Sequence, residues 1–159
     1  ANDAALVDYA PLFDEVGGRV EAARGFLRER GNRTIVLMGH SLGASMGATY
    51  LAADSEHGLA GLVAVGMSVI ELDDRMNSVL AVEKISIPVL DIYGSRDLDT
   101  VLNSAKARAA AARKSGNADY RQTEVEGADH FFVGVEDDLT RRVYGWLKTH
   151  FDNKPGEQP

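Results

Sequence analysis

Thr34-Ile35-Val36-Leu37-Met38-Gly39-His40-Ser41-Leu42-Gly43-Ala44 is the stretch on which the fold of this chain turns. Ile35 to Met38 reads as a short apolar strand, and Gly39-His40-Ser41-Leu42-Gly43 as a G-x-S-x-G turn that runs into small, helix-compatible residues. The turn needs glycines because its central serine is held in a strained backbone conformation. The residues two before and two after it are expected to lie too close to neighbouring backbone for a Cβ. Ser41 is then left projecting at the carboxyl end of the strand, and the helix behind it aims its first amides, Leu42 among them, at any negative charge that develops nearby. With 16 glycines in 159 residues the bare pattern can arise by chance. The flanking strand and helix are what give it meaning.

Working outward, Pro11 marks a helix start, and Leu12, Phe13, Val16, Val20, Ala23, Phe26 and Leu27 recur at three- and four-residue spacing up to a stop at Gly31-Asn32. After the turn, Leu42 to Ala53 is a helix whose small residues permit close packing on a sheet. Gly61 to Gly66 is an apolar run without polar alternation, as in a parallel strand buried on both faces. Residues 67–84 are mixed and read as loop plus a short helix, a place for a substrate-facing segment. Ile87 to Tyr93 is a third strand, with Pro88 tolerable near its start. Val101 to Lys114 is a helix closed by Ser115-Gly116-Asn117, Tyr120 to Val125 a fourth strand, and Leu139 to Phe151 the last helix. Strands alternating with helices imply right-handed βαβ crossovers, hence a parallel sheet of about four strands with helices on both faces. One domain over residues 1–152 is expected, with a polar, disordered tail at 153–159.

Composition narrows the chemistry. Apolar residues make up 45% and charged residues 26%, and the formal charge of −7 argues against a nucleic-acid phosphate backbone as partner. There is no cysteine, which excludes disulfides and thiolate nucleophiles. The acids show no ligand spacing that includes histidine, so neither a metal nor another cofactor is expected. No apolar stretch approaches the roughly 18 residues of a membrane span, and no signal pattern opens the chain, so cytoplasm is the default location. A start at Ala1-Asn2-Asp3, without Met, fits a processed form or a fragment.

A serine hydroxyl is a poor nucleophile unless a base takes its proton, and that base needs a third group to orient it. Asp97, in Gly94-Ser95-Arg96-Asp97, follows the third strand; His130, in Gly127-Ala128-Asp129-His130, follows the fourth. Both therefore arrive on the sheet edge that carries Ser41. Asp99 rivals Asp97, and either could instead cap the helix that follows. Among the other histidines, His40 lies inside the turn and faces the wrong way for the base, His57 is in a polar turn, and His150 is on the last helix. Asp129 reads as loop solvation.

With these residues assembled, the chain resembles the α/β-hydrolase superfamily. Gly39 to Gly43 looks like the nucleophile elbow of its lipases and esterases, Ile87 to Asp97 like its penultimate core strand with the acid loop, and Gly127 to His130 like its histidine loop. More loosely the chain is similar to a family of short bacterial α/β-hydrolases. The resemblance covers roughly residues 10–150 and implies hydrolysis of a small-molecule ester by Ser41, His130 and Asp97. It also implies an oxyanion donor at the Leu42 amide and a substrate pocket touched by His40, Met67, Ser68 and the 67–84 segment. It departs from the superfamily in having only one helix ahead of the elbow and its strand, so the chain looks like the C-terminal half of the fold. The strand at 35–38 is then expected to be a sheet edge in need of cover, by a second copy in a homodimer, by a swapped segment or by a missing N-terminal half. The second oxyanion donor is expected from the part that is lacking. Losing one such donor costs on the order of a hundred- to a thousandfold in turnover. The alternative is a non-catalytic, truncated hydrolase scaffold that acts as an assembly domain.

Overall fold

The computed structural model describes residues 7–152 of the chain, so the tail at 153–159 lies outside the described residues. Four strands, β1 (Val36–His40), β2 (Gly61–Val65), β3 (Val89–Arg96) and β4 (Tyr120–Asp129), form one sheet in the order β1-β2-β3-β4, every pair parallel. The helices are α1 (Ala10–Glu29), α2 (Leu42–Ala53), α3 (Ser78–Val82), α4 (Asp99–Ser115) and α5 (Glu136–Phe151).

β2 shows why its sequence is apolar without alternation, since all five residues are buried. Leu62 and Ala64 face one layer with Ala44, Ala48 and Leu51 of α2, Val82 of α3 and Ala112 of α4. Val63 and Val65 face the other with Val143 and Trp146 of α5. Side chains alternate across a strand, so each face of the sheet has its own helical layer.

Several boundaries differ from expectation for identifiable reasons. β3 starts at Val89 because Pro88 has no amide to donate; its carbonyl instead accepts from Leu62 at 2.9 Å. β3 and β4 run on to Arg96 and Asp129 through a register shift between Gly94 and Arg96, where the Ala128 carbonyl crosses so close to Gly94 that a side chain there would collide. The two strands thus carry the acid and histidine loops almost without slack. In α1 the apolar stripe is wider than the core it meets. Ala10 and Phe13 are buried, whereas Phe26 is 53% exposed and carries the Arg30 guanidinium over its ring.

β1 is a sheet edge among the described residues, pairing on one side with β2. Its Met38 opposes buried Val63 yet is 55% exposed. At the other end of the sheet lies a polar cluster absent from the reading of Ile87 to Tyr93 as an apolar strand. Arg108 of α4 and Asp91 of β3 are both fully buried and paired at 2.8 Å, and Tyr120 and Gln122 also donate to Asp91. The pairing pins α4 to β3.

Residues 67–84 form a compact segment, with a 3-10 turn at Asp74–Met76 and α3 capped by the Asn77 side chain, which accepts from Val79 and Leu80 amides. Met76 packs with Ala10 and Phe13 beside Leu42, Met46 and Ile70, which seats the segment against the start of α2.

Candidate active site

Each site residue stands where a parallel strand ends. Ser41 follows β1 directly and has φ 56° and ψ −126°, a conformation costing of order 1–3 kcal/mol for a non-glycine residue. Its amide donates to Val65 of β2 at 2.8 Å, and its carbonyl accepts from Ala44 and Ser45, so the strain is clamped by the strand on one side and by α2 on the other. Of the two turn glycines only the first is demanded by space. A Cβ on Gly39 would sit 2.5 Å from the Gly43 carbonyl oxygen and 2.7 Å from the Ala44 nitrogen. A Cβ on Gly43 would meet nothing within 4 Å, which corrects the expectation that both positions lie against backbone.

His130 Nε2 lies 2.8 Å from Ser41 Oγ, and His130 Nδ1 lies 2.5 Å from Asp97 Oδ1. Asp97 and His130 are buried, while Ser41 is half-buried. The amides of Leu98, at 2.8 Å, and Gly94, at 3.2 Å, donate to the Asp97 carboxylate and fix its plane. Asp99 opens α4 from an exposed position and makes no contact with His130, so the structure brings Asp97 and not its rival to the histidine. Leu42 is the first residue of α2, and its amide therefore has no acceptor within the helix.

The histidine loop is more built than the sequence suggested. Asp129, read as solvation, accepts from the Phe131 amide at 3.0 Å and the Val133 amide at 3.2 Å. Donation by Val133, followed by that of Phe131 and Phe132, holds its carboxyl below the ordinary aspartate range. Phe132, with φ 58°, is buried against Val63 and Trp146. An aspartate two residues before a turn amide is a recognisable Asx-turn signal. Gly66, at the end of β2, was also missed as a site residue. It has φ +59°, and a Cβ there would stand 3.0 Å from His130 Cε1 and 3.4 Å from Asp97 Oδ2.

Other expected site residues fall elsewhere. Met67 is fully buried in the core layer of α2 to α4, and Ser68 is 7% exposed, its carbonyl accepting from the Ser45 and Ser78 hydroxyls. Although both follow the end of β2, they are interior, covered by the helices rather than open to solvent. The neighbouring cavity, about 610 Å³, is walled instead by Ile70, Leu72, Asn77, Thr100 and Asn103, with Glu71 and Asp99 also on its lining. His40 is exposed at the rim, its Nε2 2.8 Å from the His130 carbonyl oxygen and its ring 5.8 Å from that of Phe131. Among the described residues no group of three acids or histidines stands close enough to hold a metal ion, and no helix is long and apolar enough to cross a membrane.

A wound parallel sheet, a strained serine between strand and helix, and an acid and a histidine at the ends of β3 and β4 together define the α/β-hydrolase fold. Solved structures share it. The chain superposes on a monoacylglycerol lipase from Paleococcus ferrophilus with TM-score 0.65 at 18% identity, covering 83% of this chain and 74% of that one. With a hydrolase from Thermoplasma acidophilum described as CIB-like, the TM-score is 0.62 at 23% identity, covering 82% of this chain and 58% of the other. For the esterase domain of a Rhodothermus marinus protein the figures are 0.65 and 16%, over 83% and 68% of the two chains. The chain therefore spans little more than half the length of the Thermoplasma structure. Within this fold it belongs to the family described as "Protein of unknown function (DUF3530)", whose model matches residues 11–149. No curated protein matches the sequence.

Proposed function

We propose that this protein is a carboxylesterase-like serine hydrolase that cleaves small-molecule esters through Ser41, His130 and Asp97. The observation that carries the reading is the hydrogen-bonded chain from Ser41 Oγ to His130 Nε2, at 2.8 Å, and from His130 Nδ1 to Asp97, at 2.5 Å. These are the contacts a base needs to activate a serine and an acid needs to orient that base. In this reading Ser41 Oγ attacks the ester carbonyl carbon while His130 Nε2 takes the hydroxyl proton. The oxyanion that forms accepts a hydrogen bond from the Leu42 amide at the start of α2. Collapse of the intermediate breaks the bond to the alcohol oxygen, which leaves with the proton from His130. Water then attacks the acyl-serine, His130 accepting its proton and returning one to Ser41 as the carboxylic acid departs. The Asp97 carboxylate accepts from His130 Nδ1 and holds the imidazole in one tautomer.

The backbone of Ser41 also favours this reading over a non-catalytic scaffold. A scaffold has no use for a serine at φ 56° and ψ −126°, whereas a nucleophile at such a turn is exposed to substrate and clear of its own strand. Initial rates on p-nitrophenyl acetate and butyrate, wild type beside Ser41→Ala, test it. Turnover is expected in the wild type and loss to background in the variant; equal rates from the two proteins refute the catalytic reading.

A further inference from the structure

Ser41 and His130 come from opposite edges of the sheet. β1 and β4 have β2 and β3 between them, so at roughly 4.8 Å per strand spacing their axes are about 14 Å apart. The end of β4, shifted in register on β3, must therefore lean back across the sheet top so that His130, the residue after it, brings Nε2 to the serine. Its fastenings are mostly on its own side. Asp129 caps the Phe131 and Val133 amides, Phe132 is buried over β2 and α5, and Gly127 is held to β3 by the Ser95 hydroxyl and the Arg96 guanidinium. Those contacts order the loop but do not set its distance from the elbow.

Among the described residues two hydrogen bonds join the elbow to this loop. One is the Ser41–His130 contact itself; the other runs from His40 Nε2 to the His130 carbonyl oxygen at 2.8 Å. A carbonyl can only accept, so His40 donates, and its Nε2 carries a proton. His40 is well placed for this. It is the last residue of β1, registered against Val65, and the next amide, that of Ser41, is bonded to the Val65 carbonyl at 2.8 Å. The donor is thus fixed to the same backbone that fixes the nucleophile. Its ring also lies 4.8 Å from that of His130.

We infer that His40 is a positioning residue: its Nε2–H grips the backbone of the histidine loop and sets the gap across which His130 takes the Ser41 proton. The inference rests on the serine hydrolase reading above and gives His40 a part in it other than touching substrate. Removing the tie leaves the Ser41–His130 bond to hold the gap alone. A hydrogen bond of this kind contributes a factor of about three to ten, so kcat is the quantity that falls, with KM unchanged. Glutamine can place an amide N–H near the position of the imidazole Nε2 and restores the tie; alanine cannot.

The test compares wild type, His40→Ala, His40→Gln and Ser41→Ala on p-nitrophenyl butyrate, with thermal unfolding of each. The expected result is kcat lowered about threefold to tenfold in His40→Ala and recovered in His40→Gln, with KM unchanged in both and the Tm of His40→Ala lowered by no more than a few degrees. A second readout does not depend on turnover. The His130 Nδ1 proton, held against Asp97, gives a far-downfield resonance that broadens in His40→Ala and sharpens again in His40→Gln. Wild-type kcat in His40→Ala, equal loss in both variants, or a raised KM at constant kcat overturns the inference, as does an Nδ1 resonance indifferent to residue 40. If instead Ser41→Ala retains wild-type turnover, the hydrolase reading itself fails, and the role of His40 fails with it.

Discussion

Gly66→Ala is the perturbation that most closely probes how the site is held. Gly66 directly follows β2 with φ +59°, and its amide donates to Ile92 at 2.8 Å, so its backbone is tied into the sheet. An alanine there meets two costs. The left-handed conformation costs about 1–2 kcal/mol for a residue with a Cβ, which at about 2–4 °C per kcal/mol lowers Tm by about 2–8 °C in a domain of this size. The methyl would also stand 3.0 Å from His130 Cε1 and 3.1 Å from Nδ1, roughly 0.5 Å inside ordinary carbon contact. With the strand tied, the ring has to move, and it cannot keep both Ser41 Oγ at 2.8 Å and Asp97 at 2.5 Å. Since about 1 Å of misplacement can cost about a hundredfold, half that predicts a loss of roughly tenfold in kcat. Steady-state kinetics on p-nitrophenyl butyrate, alongside a thermal melt, read both effects. A folded Gly66→Ala protein with wild-type kcat refutes the claim that the ring is pinned between β2, Ser41 and Asp97.

Other outcomes follow from the same structure. Arg108→Met removes the partner of a fully buried carboxylate and is expected to cost about 3–5 kcal/mol, read as a lower midpoint in urea; Asp91→Asn in the same chain should recover part of it by removing the stranded charge. Burial holds the imidazole of His57 below its ordinary value. In the unfolded chain that histidine binds a proton near pH 6.5, which the folded chain resists, so stability is full above that pH and falls as pH drops from about 6.5 toward the lowered folded value. His57→Asn, which can still accept from the Leu59 amide, should show a flatter Tm between pH 7 and pH 5. Gly39→Ala is expected to abolish folded protein or activity, because the Cβ lands on the Gly43 and Ala44 backbone. Gly43→Ala should be neutral or stabilising by up to about 1 kcal/mol in thermal melts.

The layout of strands and helices was legible because its signal is local. The apolar run at Gly61 to Val65 has no polar face and could only be an interior strand, and Leu42 to Ala53 has the bounds that its composition announces. Ser41, Asp97 and His130 could be named because parallel strands deliver their ends to one edge, so chain order stands in for spatial proximity. Tertiary facts were not legible in this way. Met67 and Ser68 look like loop residues after a strand but are interior, because Met67 packs among residues of α2 to α4 and the Ser45 and Ser78 hydroxyls close on the Ser68 carbonyl. Asp91 is tolerable in a buried strand only because Arg108, 17 residues later, is brought to it by the fold. His40 gave no sign of its partner, a main-chain carbonyl 90 residues away. The demand for glycine at residue 66 likewise comes from a histidine on another strand.

The central claim is that Ser41 is an activated nucleophile. A fluorophosphonate probe, which phosphonylates a serine only where a base takes its proton, tests this without a choice of ester. Intact-mass analysis and peptide mapping should find one adduct per chain on the Leu42-flanked Ser41, absent from Ser41→Ala and strongly slowed in His130→Ala. An unlabelled wild type, or an adduct that survives Ser41→Ala, contradicts the account.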